Sequence, residues 1–194
     1  MAEQMDNTYR MPEILEQPLI PPPLHGLNPR NIMGRTAWDI LRKEIYARHG
    51  YTCAACGVYS RRAILKRGLE AHERYEIDYP GKRMVVTGME PLCHACHCFV
   101  HSGLLEVRLA KRQVSAETVA IILGHGSGVL KGSGGKMPPG ADLLCRKLKL
   151  KHDLKVQRHP PRLTWPGWVL EWEGETYPSL YPSEAAWKKA MRSL

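Results

Sequence analysis

The chain has 194 residues, 43% of them hydrophobic, with 28 Lys and Arg against 19 Asp and Glu and a formal net charge of +9. That length holds one compact domain with attachments, and the charge favours a polyanionic partner, nucleic acid ahead of a membrane. No basic-then-apolar leader opens the chain, and no apolar run approaches the ~20 residues that span a bilayer. The expectation is a cytoplasmic, reducing setting with no membrane association.

Residues 1–34 read as a Pro-rich arm. Pro12, Pro18, Pro21, Pro22, Pro23 and Pro29 fix φ and remove backbone donors, which excludes a long helix or a central strand. Such an arm lies over the domain, offers a surface to a protein partner or stays disordered. From Thr36 the spacing of Trp38, Leu41 and Ile45 predicts a helix, stopped by Gly50. Cys53 and Cys56 then form a first C-x2-C pair, followed by a basic cluster of Arg61, Arg62, Lys66 and Arg67.

Leu69 to Ile77 and Arg83 to Thr87 read as two strands joined through the turn-rich Asp78-Tyr-Pro-Gly81. A short loop leads to a second pair, Cys93 and Cys96, and to a helix beginning near His97. Ser115 is the N-cap of a further helix ending at Gly124. Residues 124–140 hold seven glycines and two prolines in seventeen positions, the composition of a flexible linker. Residues 141–162 carry seven Lys or Arg against two Asp, and the apolar residues of Leu143–His152 fit a helix early and an alternating strand late. Trp168 to Trp172 and Thr176-Tyr177 predict a hairpin, and Ser183 caps a terminal helix. The expected fold is α+β, with a central domain at 35–123, a linker at 124–140 and a basic, Trp-containing region at 141–194.

Two C-x2-C pairs, Cys53/Cys56 and Cys93/Cys96, are the spacing of a closed tetrahedral zinc site of the structural kind. Thirty-six residues lie between the pairs, so another element is inserted between the halves. That insert carries Leu69-Glu70-Ala71-His72-Glu73 on its first strand, and the second pair runs on into His97 and His101. The latter two lie four apart and share one helix face. With His72 facing them, three imidazoles make an open site of the catalytic kind for a divalent cation. Imidazole suits transition metals better than Mg2+, although Mg2+, Mn2+, Ni2+ and Zn2+ all remain candidates.

The order strand–turn–strand–helix, with Leu69-Glu-Ala-His72-Glu73 and Pro91-Leu-Cys93-His-Ala-Cys96-His97-x3-His101, resembles the HNH (His-Me finger, ββα-metal) endonucleases over roughly residues 50–105. A looser likeness extends to small HNH proteins of phages and prophages. The resemblance implies a DNA phosphodiesterase built on a ββα-metal core, with RNA a second candidate substrate. It also implies a metal ligand followed by a base on the first strand, and two registers satisfy it. In one, His72 ligates and Glu73 or a bound hydroxide takes the proton. In the other, the preferred one, His72 is the base, Glu70 or Glu73 contacts the ion, and Glu70 orients the imidazole from two residues away. The family's middle Asn falls near Gly88, a departure from the pattern that leaves a zinc module binding nucleic acid or protein as the alternative.

Phosphate contacts are expected from Arg61, Arg62, Lys66 and Arg67 and from Lys147, Lys149, Lys151 and Lys155. Cys98 is a spare thiol beside the knuckle and Cys145 a core or surface thiol. His94 reads as a neighbour of the site or an exposed residue. His125, His152 and His159 lack partners at useful spacing and read as solvent or phosphate contacts.

Overall fold

The structure, a computed structural model, describes residues 10–192. It is α+β, with six helices and a four-stranded sheet among the described residues. The helices are α1 (Pro29–Arg48), α2 (His94–Val100), α3 (Ser102–Ala110), α4 (Ala116–Ser133), α5 (Pro139–Lys147) and α6 (Glu184–Arg192). The strands are β1 (Leu69–Asp78), β2 (Arg83–Cys93), β3 (Val169–Trp172) and β4 (Glu175–Pro178), in the spatial order of their numbering. Among the described residues no helix is long and apolar enough to cross a membrane.

The chain divides into two compact units that do not follow the boundaries at 34, 123 and 140 expected from composition. The first comprises the segments up to Leu19, Ile45–His72 and Glu90–Arg158; the second comprises Ile20–Glu44, Glu73–Met89 and His159 onward.

In the first unit the proline-rich segment is part of the core. The Pro12–Glu16 turn buries Ile14 and Leu15, and the Met11 amide donates to the Ala54 carbonyl at 2.8 Å. Prolines exclude a long helix there, but a single 3-10 turn needs few backbone donors. Around it pack Phe99 of α2, Leu105 of α3, Ile122 and Leu130 of α4 and Leu144 of α5, all buried.

The expected Gly-rich linker is instead mostly helix. α4 starts at its predicted cap, where the Ser115 hydroxyl accepts from the Thr118 amide. It continues through Gly124, Gly126, Gly128 and Gly132 to a left-handed cap at Gly134. The reason is tertiary. A Cβ at Gly126 would meet the Phe99 ring at 2.2 Å, so glycine lets α4 approach α2 at that point. Gly124 and Gly128 have nothing within 4 Å.

These positions should therefore respond oppositely to alanine. Gly126→Ala should destabilise the protein by about 1–3 kcal/mol through overpacking, less the recovered helix propensity. Gly124→Ala and Gly128→Ala should stabilise it by up to about 1 kcal/mol. Urea unfolding of the three variants checks this, and a Gly126→Ala protein at least as stable as wild type would contradict the packing.

The basic region at 141–194 is divided as well. Its first part contributes α5 to this unit, with Ala141, Leu144 and Cys145 buried, so the early half of Leu143–His152 is helix, while residues 148–152 are neither helix nor strand.

The second unit is organised by the sheet. β2 pairs with β3 in parallel, Arg83 opposite Val169, and β3 pairs antiparallel with β4, Leu170 opposite Tyr177. The predicted C-terminal hairpin is thus present. Asp78 accepts from the Gly81 amide at 2.9 Å, closing the predicted turn between β1 and β2, which a four-residue connection makes antiparallel. Leu24, Tyr75, Met84, Trp168 and Leu170 form its core. The helix predicted from Thr36 begins earlier, at Pro29, and kinks at Gly34, whose φ is 79°. Asn28 accepts from the Asn31 amide at 2.9 Å and caps it. Ser183 caps α6, accepting from the Ala186 amide at 3.2 Å.

Candidate metal centre

The two knuckles are built by the backbone around them. The Cys53 amide donates to the Val58 carbonyl and the Gly57 amide donates to the Cys53 carbonyl, a tight turn that aims Cys53 and Cys56 the same way. No loop precedes the second knuckle. β2 runs to Cys93 itself, α2 starts at His94, three residues earlier than predicted, and the Ala54 amide donates to the Pro91 carbonyl at 2.8 Å. That bond ties one knuckle to the other across the inserted strands.

The sulfur atoms of Cys53, Cys56, Cys93 and Cys96 all lie within 4.8 Å of one another, and none of the six cysteines is in a disulfide. Zinc bound at about 2.3 Å by a sulfur tetrahedron requires edges of about 3.8 Å; the Cys56 and Cys93 sulfurs are 3.8 Å apart. Hydrogen bonds from Cys53, Cys93 and Cys96 hold the Cys56 thiol far below its ordinary pKa. Bonding to Cys53 and Cys56 pushes Cys93 and Cys96 far above theirs. Four thiols this close cannot all ionise against one another, and a dication is the partner that lets them. The residues fit zinc.

His125, expected to face solvent or phosphate, is instead a neighbour of this site. Its Nε2 lies 3.3 Å from the Cys96 sulfur and 3.9 Å from that of Cys93, and hydrogen bonding to Cys56 raises its pKa. It is a neighbour of the sulfurs rather than a solvent contact. Its signal is hidden in the sequence because the glycines around it read as linker, whereas the helix that those glycines permit carries it to the knuckle. His152 is likewise engaged, 3.0 Å from the Asp142 carboxylate. Cys98 lies beside the His94 ring at 3.6 Å and outside the four-sulfur group. Burial raises its pKa to about 11.

His72, His97 and His101 form the second cluster, with one ring nitrogen of each within 4.8 Å of the others. The His101 amide donates to the His97 carbonyl, which keeps the two rings one turn apart even though α2 ends there and α3 begins. Their centroids are 4.6 Å apart, and that of His72 is 4.9 Å from His101. His72 is completely buried. Burial, then the neighbouring His101 and His97, drives its pKa well down; burial, then His97, takes His101 to about 3. Both are neutral at pH 7 with lone pairs available.

The placement of Glu70 differs from the second register. Neither Glu70 nor Glu73 belongs to the imidazole cluster. Glu70 accepts from His94 Nδ1 at 2.6 Å and from His97 Nδ1 at 2.9 Å, not from His72. Burial would raise Glu70, but the bonds from His97 and His94 outweigh it and hold the carboxyl at about 2. An ionised carboxylate only accepts, so His97 carries its proton on Nδ1 and presents Nε2 as the free donor atom.

His72 Nε2 lies 3.1 Å from the Gln17 side-chain amide, and Nδ1 is a buried ring nitrogen with no hydrogen-bond partner; with the Gln17 oxygen turned to accept from Nε2–H, Nδ1 keeps a lone pair for a metal. Such an orphaned atom beside two other imidazoles is what a metal ligand looks like without its ion. These residues too fit a divalent metal. Gln17 comes from the segment read as an arm, and no short-range pattern marks it.

Gly88 sits on β2, where a Cβ would come 3.1 Å from Arg74 Nη2. All eight candidate phosphate-binding side chains are exposed. Lys147 is paired with Glu106, and Lys66 lies 3.8 Å from Glu70. No protein-family model matches the chain, and neither a curated protein nor a solved structure matches it.

Proposed function

We propose that the protein is a metal-dependent endonuclease of the HNH type, hydrolysing DNA phosphodiester bonds. The observation that carries this reading is that one ring nitrogen from each of His72, His97 and His101 lies within 4.8 Å of the others, in a cluster where His72 Nδ1 is buried and has no hydrogen-bond partner. Three neutral imidazoles gathered this closely suit a cation. A divalent ion held by His72, His97 and His101 would supply positive charge against the charge developing on a phosphate. Glu70 fixes the tautomer of His97, and burial keeps His72 and His101 unprotonated.

His72, sealed from solvent, takes the ligand role. The base role would then fall to Glu73 or a bound hydroxide, the two alternatives of the first register. The four-cysteine site holds the second knuckle, and with it the start of α2, in place. Incubation of supercoiled plasmid with Mg2+, Mn2+, Ni2+, Co2+ or Zn2+, and with EDTA, tests the proposal. Ion-dependent nicking is expected. Plasmid binding without nicking under every ion leaves the alternative, a zinc module for nucleic acid or protein, which Gly88 in place of the expected Asn favours.

The exposed lysines supply affinity in either case. Replacing Lys147, Lys149, Lys151 and Lys155 with Gln should weaken DNA binding for all sequences alike. It should reduce the slope of log K against log salt by about 0.9 for each phosphate no longer neutralised. Titrations at several salt concentrations measure it, and an unchanged slope would place these lysines away from DNA.

A further inference from the structure

The loop between the first knuckle and β1 does more than display charge. From Gly57 to Leu69 it has Arg61, Arg62, Lys66 and Arg67 and no acidic residue. At its tip, Ile64 and Leu65 are 42% and 45% exposed. The tip is held rather than loose. The Gly68 amide donates to the Ser60 carbonyl at 3.0 Å and closes the loop, and the Lys66 amide donates to the Ile64 carbonyl at 2.7 Å. Leu65 occupies the left-handed region, φ 66°, which a bulky side chain adopts only under strain. The loop's base is tied to the zinc knuckle, where the Ser60 amide donates to the Tyr51 carbonyl and Thr52 bridges Tyr59.

We propose that Ser60–Gly68 is a wedge for double-stranded DNA. Ile64 and Leu65 enter a base step while Arg61, Arg62, Lys66 and Arg67 grip the phosphates on either side. This rests on the reading of the chain as a nucleic-acid enzyme and adds how the duplex is engaged. Apolar side chains inserted between base pairs unstack them and kink the helix, and cations beside them are needed to hold the strands. The four cations select a polyanion, and two apolar side chains suit a single base step better than the broad apolar face that a lipid surface requires. Leu65 is seven positions before His72, an extended reach of at most about 25 Å. The opened step therefore lies within about seven base pairs of the candidate metal centre, at ~3.4 Å per pair.

The test uses the full chain and a duplex of about 20 base pairs carrying 2-aminopurine at its central steps, without added divalent ion. Wild-type protein should raise the 2-aminopurine fluorescence as base stacking is lost. Ile64→Ser combined with Leu65→Asn, both at exposed positions and with Asn suited to the left-handed backbone, should abolish the rise. That variant should also weaken binding roughly tenfold while leaving the salt slope unchanged. Arg61→Gln with Arg62→Gln should instead flatten the slope by about 0.9 for each phosphate no longer neutralised.

Duplex binding without a fluorescence rise, an apolar double variant equal to wild type in both measurements, or no duplex binding at all overturns the wedge. So does capture by phosphatidylserine vesicles in preference to the duplex. A protein that unstacks the duplex but never nicks DNA keeps this proposal and loses the nuclease reading; one that nicks without unstacking does the reverse.

Discussion

Cys53→Ser or Cys96→Ser should release about one zinc per chain and unfold the first unit, the largest single effect expected in this protein. The magnitude follows from burial and coupling. Cys53, Cys93 and Cys96 are buried together with Ala54 and Ala55, and Ile14, Leu15, Leu92 and Phe99 belong to the same core. Binding free energy at structural zinc sites reaches about 10–16 kcal/mol, which exceeds the net stability of an ordinary domain. A serine hydroxyl cannot replace a thiolate there, and it leaves three crowded sulfurs without their counter-charge. Metal content of purified protein, read beside circular dichroism, decides the outcome. Cys145→Ser is the control, because that thiol is buried outside the four-sulfur group and should cost only packing. Wild-type protein that is folded without zinc, or a Cys96→Ser protein that keeps both zinc and structure, would refute a structural site.

His72→Ala should reduce nicking by about a hundredfold or more while the protein still binds DNA. Removing one of three imidazole ligands weakens the site rather than abolishing it, so a higher concentration of divalent ion should restore part of the activity. His97→Ala should behave in the same way. Glu70→Gln should show a milder loss, since it disturbs only the carboxylate behind His97, a change usually worth about 10–100-fold in affinity. Titration with Co2+ of protein whose four-cysteine site is kept loaded with zinc, followed by visible absorption, separates ligation from proton transfer. A His72→Ala protein that binds Co2+ as tightly as wild type yet never nicks would return the base role to His72. Glu73→Gln should lower the rate by about 10²–10⁴-fold with Co2+ affinity unchanged, as loss of a general base does; an unchanged rate would remove Glu73 from the chemistry.

The sequence by itself determined the features that depend on short separations along the chain. Two residues between cysteines suffice to turn a backbone into a knuckle, so Cys53/Cys56 and Cys93/Cys96 were legible as a four-sulfur site. Four residues on a helix bring side chains to one face, so His97 and His101 were legible as a pair, and His72 joined them on a strand of alternating residues. The turn at Asp78–Gly81, the cap at Ser115 and the hairpin after Trp168 are equally local. What the tertiary structure decided are partners far apart in sequence. Gln17 meets a ring 55 residues away, and His125 reaches a sulfur 29 residues before it. Glu70 chose His94 and His97, 24 and 27 residues along the chain, over His72 beside it on the same strand. The glycines after Gly124 carry the same lesson: glycine lowers intrinsic helix propensity, so composition reads as linker. At Gly126 the missing Cβ is what admits Phe99, and packing against a neighbouring helix outweighs a propensity penalty of about 1 kcal/mol per residue.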